Sequence, residues 1–219
     1  MSAANATLRS GPKGSQAKAI CVFIHGRNQS PEEMQRHVLA RLSAKAVAFA
    51  LPRAPLGRWW DARAVDPLTP ESRTQLLTAI DHLDSVLATV RVELPGRPVL
   101  LAGFSQGACL AIEYLCTGRT PPDAVAAFTG CRVGTSDDER PEAIPVGMPV
   151  YLSGGDEDPW IPVSAFTGAA LSLGRRGARL RADVFPGRGH EISDAEITML
   201  EGLLEDLVAG KQPGMGAAR

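Results

Sequence analysis

No stretch of this chain approaches the roughly 18–20 consecutive apolar residues that a membrane-spanning helix needs, so stable membrane insertion is not expected. Residues 1–18 are polar and small, without the apolar centre of a secretory signal. Cysteine is scarce. Cys21, Cys109, Cys116 and Cys131 are the only four, and no two have the C-x-x-C spacing of a metal or redox motif. They read as buried or incidental thiols of a reducing compartment, which makes the cytoplasm the expected location. Net charge is nearly absent. A formal value of −1 leaves no electrostatic footprint for nucleic acid. The one basic cluster, Arg175, Arg176, Arg179 and Arg181, flanks Gly174 and Gly177 and reads as a helix end followed by a solvated turn. Internal repeats and low-complexity linkers are missing as well.

What remains suits one domain: 219 residues, 44% of them hydrophobic. Apolar runs alternate with helical patterns. Strands are expected at 19–24, 46–51, 98–102, 124–128, 149–153 and 180–185, with a further edge strand at 6–10. A first helix starts at Ser30 and Pro31, with Glu33 completing a capping box, and runs to about residue 43. A second begins at Thr69 and Pro70. Leu76, Ile80, Leu83, Leu87 and Val90 form its apolar stripe, and Pro95-Gly96 stops it. A third follows residue 105, a fourth covers about 163–173, and a fifth is capped by Ser193 and Glu196. This alternation predicts an α/β fold with a mostly parallel sheet and helices on both faces. The domain is expected at 19–209, after an N-terminal segment 1–18 and before a frayed tail at 210–219.

Gly103-Phe104-Ser105-Gln106-Gly107 follows one of these strands and opens a helix. That setting is a nucleophile elbow, a sharp turn that pushes a serine hydroxyl out at the carboxyl edge of the sheet. Serine is a poor nucleophile until a base takes its proton, and a histidine base needs a carboxylate to orient it. His190 follows the last strand and precedes a capped helix. His37 and His82 fall within expected helices and read as ordinary surface residues. His25 follows the first strand, where His-Gly more often serves backbone geometry. For the carboxylate, Asp158 is favoured over Asp156, because Asp-Pro limits the backbone and a helix follows; Asp156 reads as a ligand for turn amides. The order Ser105, Asp158, His190 is that of the α/β hydrolases. Two backbone amides must also face the developing oxyanion, and Gln106 and Arg27 stand at the required places.

These segments together resemble the phospholipase/carboxylesterase family of α/β hydrolases, which includes acyl-protein thioesterases and small bacterial carboxylesterases. The matching stretches are 23–32, 103–108, 153–159 and 189–192, spread over nearly the whole chain. The resemblance implies Ser105 as nucleophile, Asp158 as acid partner, His190 as base, and the Arg27 and Gln106 amides as the oxyanion hole. It implies no metal and no organic cofactor. Where the thioesterases carry Leu-Gly-Asp after His-Gly, this chain has Arg27-Asn28-Gln29. That departure points away from long-chain protein thioesters and toward the carboxylesterase-like members.

Trp59, Trp60 and Trp160 lie in loops expected near the site, either lining an apolar acyl pocket or packing over the sheet edge. The length leaves no room for a large cap domain. The expectation is a serine carboxylesterase acting on carboxylic esters or thioesters, with small to medium acyl chains or lysophospholipid-like substrates. The expected partner is a small-molecule ester, and a homodimer is an open option. The alternatives are a dienelactone-hydrolase-like enzyme, which would normally have cysteine at the elbow, or a non-catalytic binding protein on a hydrolase scaffold.

Overall fold

The computed structural model describes residues 7–216. Its strands are β1 (Leu8–Ser10), β2 (Ala19–Ile24), β3 (Val47–Leu51), β4 (Val99–Phe104), β5 (Ala124–Phe128), β6 (Pro149–Gly155) and β7 (Arg179–Phe185). They form one sheet in the order β1-β3-β2-β4-β5-β6-β7. All neighbours are parallel except β1, which runs antiparallel to β3 with Leu8 opposite Leu51. Residue 6, expected to open that edge strand, lies outside the described residues.

Five helices cover the sheet: α1 (Pro31–His37), α2 (Pro70–Glu93), α3 (Gln106–Leu115), α4 (Val163–Arg175) and α5 (Asp194–Val208). The period-2 alternation of side chains divides the core. Ile20, Val22 and Ile24 of β2 pack toward α2, α3 and α4, while Ala19, Cys21 and Phe23 pack toward α1 and α5. Every residue of β2, β4, β5 and β6 is buried, as central parallel strands covered on both faces require. All four cysteines are free and buried. Burial pushes the Cys21 and Cys116 thiols up, so they pack as small apolar groups.

Some boundaries differ from the sequence pattern, for physical reasons. The first helix stops at His37 and tightens into a 3-10 turn over Leu39–Arg41. That turn buries Leu39 in the α1/α5-side core and leaves Leu42 only partly buried there. Ser30 accepts the Glu33 amide at 3.3 Å, but the return bond comes from the Ser30 hydroxyl to Glu33 Oε2 at 2.8 Å rather than from the Ser30 amide. The strands β4 and β6 run on through glycines that read as turn residues, because ladder pairs such as Ile24–Gly103 and Gly154–Val184 hold them extended.

Of the basic cluster, Arg175 and Arg176 close α4 at an exposed turn, as expected, whereas Arg179 and Arg181 lie in β7. Arg179 donates to the Pro213 carbonyl at 2.5 Å. Arg181 pairs with Asp183 at 2.9 Å and lies 5.8 Å from the Tyr151 ring centre. After α5, the Gly214 amide adds a bond to Asp206 at 2.7 Å. Among the described residues, no helix is long and apolar enough to cross a membrane.

Candidate active site

Ser105 joins β4 to α3 with φ 55° and ψ −120°, a conformation that costs a non-glycine residue energy unless its surroundings enforce it. The Ser105 amide donates to the Phe128 carbonyl at 2.9 Å, and its carbonyl accepts the Cys109 amide at 3.0 Å. Close backbone approach explains the flanking glycines. A Cβ on Gly103 would lie 2.4 Å from the Gly107 backbone, and one on Gly107 would lie 2.2 Å from the Ile24 carbonyl oxygen.

Two loops from the same sheet edge bring the partners. His190, in the loop after β7, places Nε2 2.7 Å from Ser105 Oγ and Nδ1 2.7 Å from Asp158 Oδ2. Both bonds are satisfied when Nδ1–H donates to Asp158 and Nε2 accepts the Ser105 hydroxyl. Asp158, in the loop after β6, has a buried side chain. Its other oxygen accepts the Trp160 and Ile161 amides at 2.8 and 3.0 Å. Burial alone would raise the Asp158 pKa. The hydrogen bonds from His190 and from the Ile161 and Trp160 amides outweigh it and hold the carboxyl below its ordinary value. Asp156 is turned elsewhere and accepts the Gly187 amide at 2.6 Å.

The Arg27 and Gln106 amides border the same space. Among the described residues, neither donates a hydrogen bond to another protein group. Their side chains have a task that sequence reading missed: both hold the 59–62 loop. Gln106 accepts the Trp59 amide at 2.9 Å and donates to the Trp60 carbonyl at 2.8 Å. The Arg27 guanidinium donates to the carbonyls of Trp60, Asp61 and Ala62.

A cleft of about 430 Å³ opens over Ser105 and His190. Trp160, 58% exposed, lines it. Trp59 and Trp60 do not. They are 5% and 2% exposed and belong to the core on the α2 side. The Trp59 indole donates to the His25 carbonyl at 2.9 Å and packs against the His25 ring. The rest of the wall is Arg27, Asn28, Ala62, Arg63, Ala64, Gln106 and Ile161. Asn28 was marked only as part of the Arg27-Asn28-Gln29 departure, and Arg63 and the alanines were not legible as site residues. Their only sequence signal is position in loops that follow parallel strands. Among the described residues, no three His, Cys, Asp or Glu are grouped to hold a metal ion.

The sequence profile of the phospholipase/carboxylesterase family matches residues 11–207. This chain belongs to that family. Esterase YpfH of Escherichia coli is 24% identical to it over 90% of each chain. Acyl-protein thioesterase 1 of Saccharomyces cerevisiae is 23% identical, over 92% of this chain and 91% of its own length. The crystal structure of a phospholipase/carboxylesterase from Dyadobacter fermentans superposes with a TM-score of 0.80 at 27% identity, covering 92% of this chain and 96% of that one. The protein is thus a phospholipase/carboxylesterase family member with the α/β-hydrolase fold and an ester hydrolase of the carboxylesterase/thioesterase type.

In this phospholipase/carboxylesterase family member, His25 supports the site without entering it. Its Nδ1 bonds the Gly26 carbonyl at 2.7 Å, and its Nε2 accepts the Ala54 amide at 3.0 Å. Burial lowers its pKa, and burial likewise lowers that of His82, which is half-buried against Trp59 rather than an ordinary surface residue. With folded values depressed, the unfolded chain takes up these protons first as pH falls. The stability they contribute is therefore complete above about pH 6.5 and is lost as pH falls through the folded values. Asp158 acts in the same sense, but only below about pH 4. Melting temperatures measured from about pH 8 to pH 5 are expected to fall below pH 6.5, and less steeply in His82→Leu. An unchanged slope in that variant would remove His82 from the account.

Proposed function

We propose that this protein is a serine carboxylesterase in which Ser105 is the nucleophile, His190 the general base and acid, and Asp158 the group that orients His190. One observation carries the reading: the unbroken line from Ser105 Oγ through His190 to Asp158, with 2.7 Å at each link. Ser105 Oγ attacks the ester carbonyl carbon as its proton passes to His190 Nε2. The imidazolium that forms is stabilised by the Asp158 carboxylate. The carbonyl electrons move onto oxygen, which the Arg27 and Gln106 amides receive; losing one such donor typically costs about 10²–10³ in turnover. Collapse breaks the bond to the alcohol or thiol, which takes its proton from His190. Water then repeats the sequence on the acyl-enzyme and releases the acid.

The clamps from Arg27 and Gln106 to the 59–62 loop support a preorganised oxyanion site, since they tie the loop to the residues that supply its amides. A cleft of about 430 Å³ with Ala62, Ala64, Ile161 and Trp160 in its wall suits small to medium acyl groups.

Active-site labelling with a fluorophosphonate tests the reading, followed by p-nitrophenyl esters of increasing chain length. The native protein is expected to label and to favour the shorter esters. Asp158→Asn is expected to label and turn over more slowly, with a smaller loss than removal of Ser105 or His190. Asp156→Asn should leave both nearly intact, because Asp156 serves the Gly187 amide. Equal damage from the two substitutions would mean that Asp158 is not the orienting acid.

A further inference from the structure

We infer that the cleft selects esters that carry a negative charge, and that Arg63 is the group that receives it; this rests on the serine-esterase reading above. Among the described residues, the cleft wall contains two arginines and no aspartate or glutamate. The two arginines differ in how they are held. Arg27 is anchored through Nη2 to the carbonyls of residues 60–62. The Arg63 guanidinium has neither a carboxylate nor a carbonyl partner among the described residues. The Trp160 ring centre lies 6.0 Å from its central carbon. The nearest acid in sequence, Asp66, accepts the Arg63 backbone amide at 3.0 Å.

An arginine held against an aromatic face keeps its N–H fork free for a planar, two-oxygen anion. The surroundings strengthen that fit. The Arg27 clamp fixes the three residues just before Arg63, so its backbone is ordered before any ligand arrives. Ala62 and Ala64 on either side leave space beside it. Asn28, also in the wall, has a backbone fixed at φ 58° by its bond to the Gly57 carbonyl, and its side-chain amide makes no hydrogen bond among the described residues. An anion in this cleft therefore meets a guanidinium and a carboxamide donor beside Ser105, with no opposing carboxylate in the wall. The chemistry recognised is a carboxylate or phosphate, carried on either the acyl or the alcohol side of the ester.

Matched ester pairs test this. On the acyl side, the mono-p-nitrophenyl ester of adipic acid is compared with its methyl-capped neutral counterpart. On the alcohol side, the butyrate ester of 2-hydroxyethyl phosphate is compared with the butyrate ester of ethylene glycol. The charged member is expected to have a kcat/KM higher by roughly tenfold or more in at least one pair, and that pair identifies the side that carries the anion. In Arg63→Ala the charged-to-neutral ratio should fall to near one, Arg63→Lys should restore part of it, and added salt should weaken it in the native protein. Arg63 is exposed, and fluorophosphonate labelling of each variant verifies that the site remains assembled. Labelled native enzyme with no charge preference in either pair, or a preference that survives Arg63→Ala, overturns the inference and leaves the esterase reading standing. Native protein that neither labels nor turns over the neutral esters overturns both.

Discussion

Ser105→Ala is expected to abolish fluorophosphonate labelling and to lower p-nitrophenyl ester turnover by at least ~10⁴-fold, with the fold intact. The reason lies in the elbow. Ser105 Oγ is the atom at the mouth of the cleft that both stands 2.7 Å from the His190 Nε2 acceptor and belongs to a side chain able to form an acyl bond. The turn itself is enforced by Gly103, Gly107 and the bonds of the Ser105 backbone, none of which needs the hydroxyl. The melting temperature should therefore barely move while the chemistry disappears. His190→Ala should show a loss of similar size, and the double variant should be no worse than either single, because the two residues act as one unit. Additive losses would mean that the bond between Ser105 and His190 is not the working one. Labelling that persists in Ser105→Ala would place the nucleophile elsewhere.

Glu113→Ala is expected to destabilise the protein by about 3–5 kcal/mol while leaving the active-site chemistry in place. Glu113 lies in α3, and its carboxylate is buried beside the equally buried Arg132. It accepts from Arg132 Nε at 2.7 Å, from a second Arg132 nitrogen at 3.1 Å and from the Val133 amide at 2.8 Å. Burial works against the Arg132 charge, but the attraction and hydrogen bonds of Glu113 outweigh it, so the guanidinium is held charged in the core. Removing Glu113 strands that charge and one backbone amide. The bonds from Arg132 to the Pro141 carbonyl and to Ser172 cushion part of the loss. For a domain of this size the melting temperature should fall by about 6–15 °C. The double variant Glu113→Leu with Arg132→Met should recover much of it, since an apolar pair replaces a desolvated ion pair at little net cost. Glu113 sits about two helical turns beyond Ser105, so turnover at 25 °C should stay near that of the native enzyme. A neutral single variant, or a double variant as unstable as the single, would contradict the pair's role.

Legibility followed the range of the interaction that decided each feature. Strands and helices were readable because alternation, capping residues and apolar stripes act within a few positions. Ser193 and Glu196 close their capping box as the local pattern implied. The stripe from Leu76 to Val90 is buried along α2. The ends of elements were less readable where ladder bonds or core packing overrode local preference, as at Gly103, Gly154 and Leu39. In the site, residues drawn from separate loops do converge, because parallel strands deliver their following loops to one edge. Sequence could not distinguish Trp160 from Trp59 and Trp60. All three stand in turn-rich segments, and only packing against His25 and α2 shows which way the 59–62 loop turns its indoles.

The sequence by itself determined the fold class, the elbow and the chain order of serine, acid and histidine, because these are written in short-range pattern and in residue type. The tertiary structure alone decided which tryptophan borders the cleft and which arginine remains unpaired among the described residues. Each of those outcomes depends on partners tens of positions away. Arg27 is occupied by residues 33 to 35 positions later in the chain, and Arg63 stands free beside a ring that the chain supplies only at residue 160.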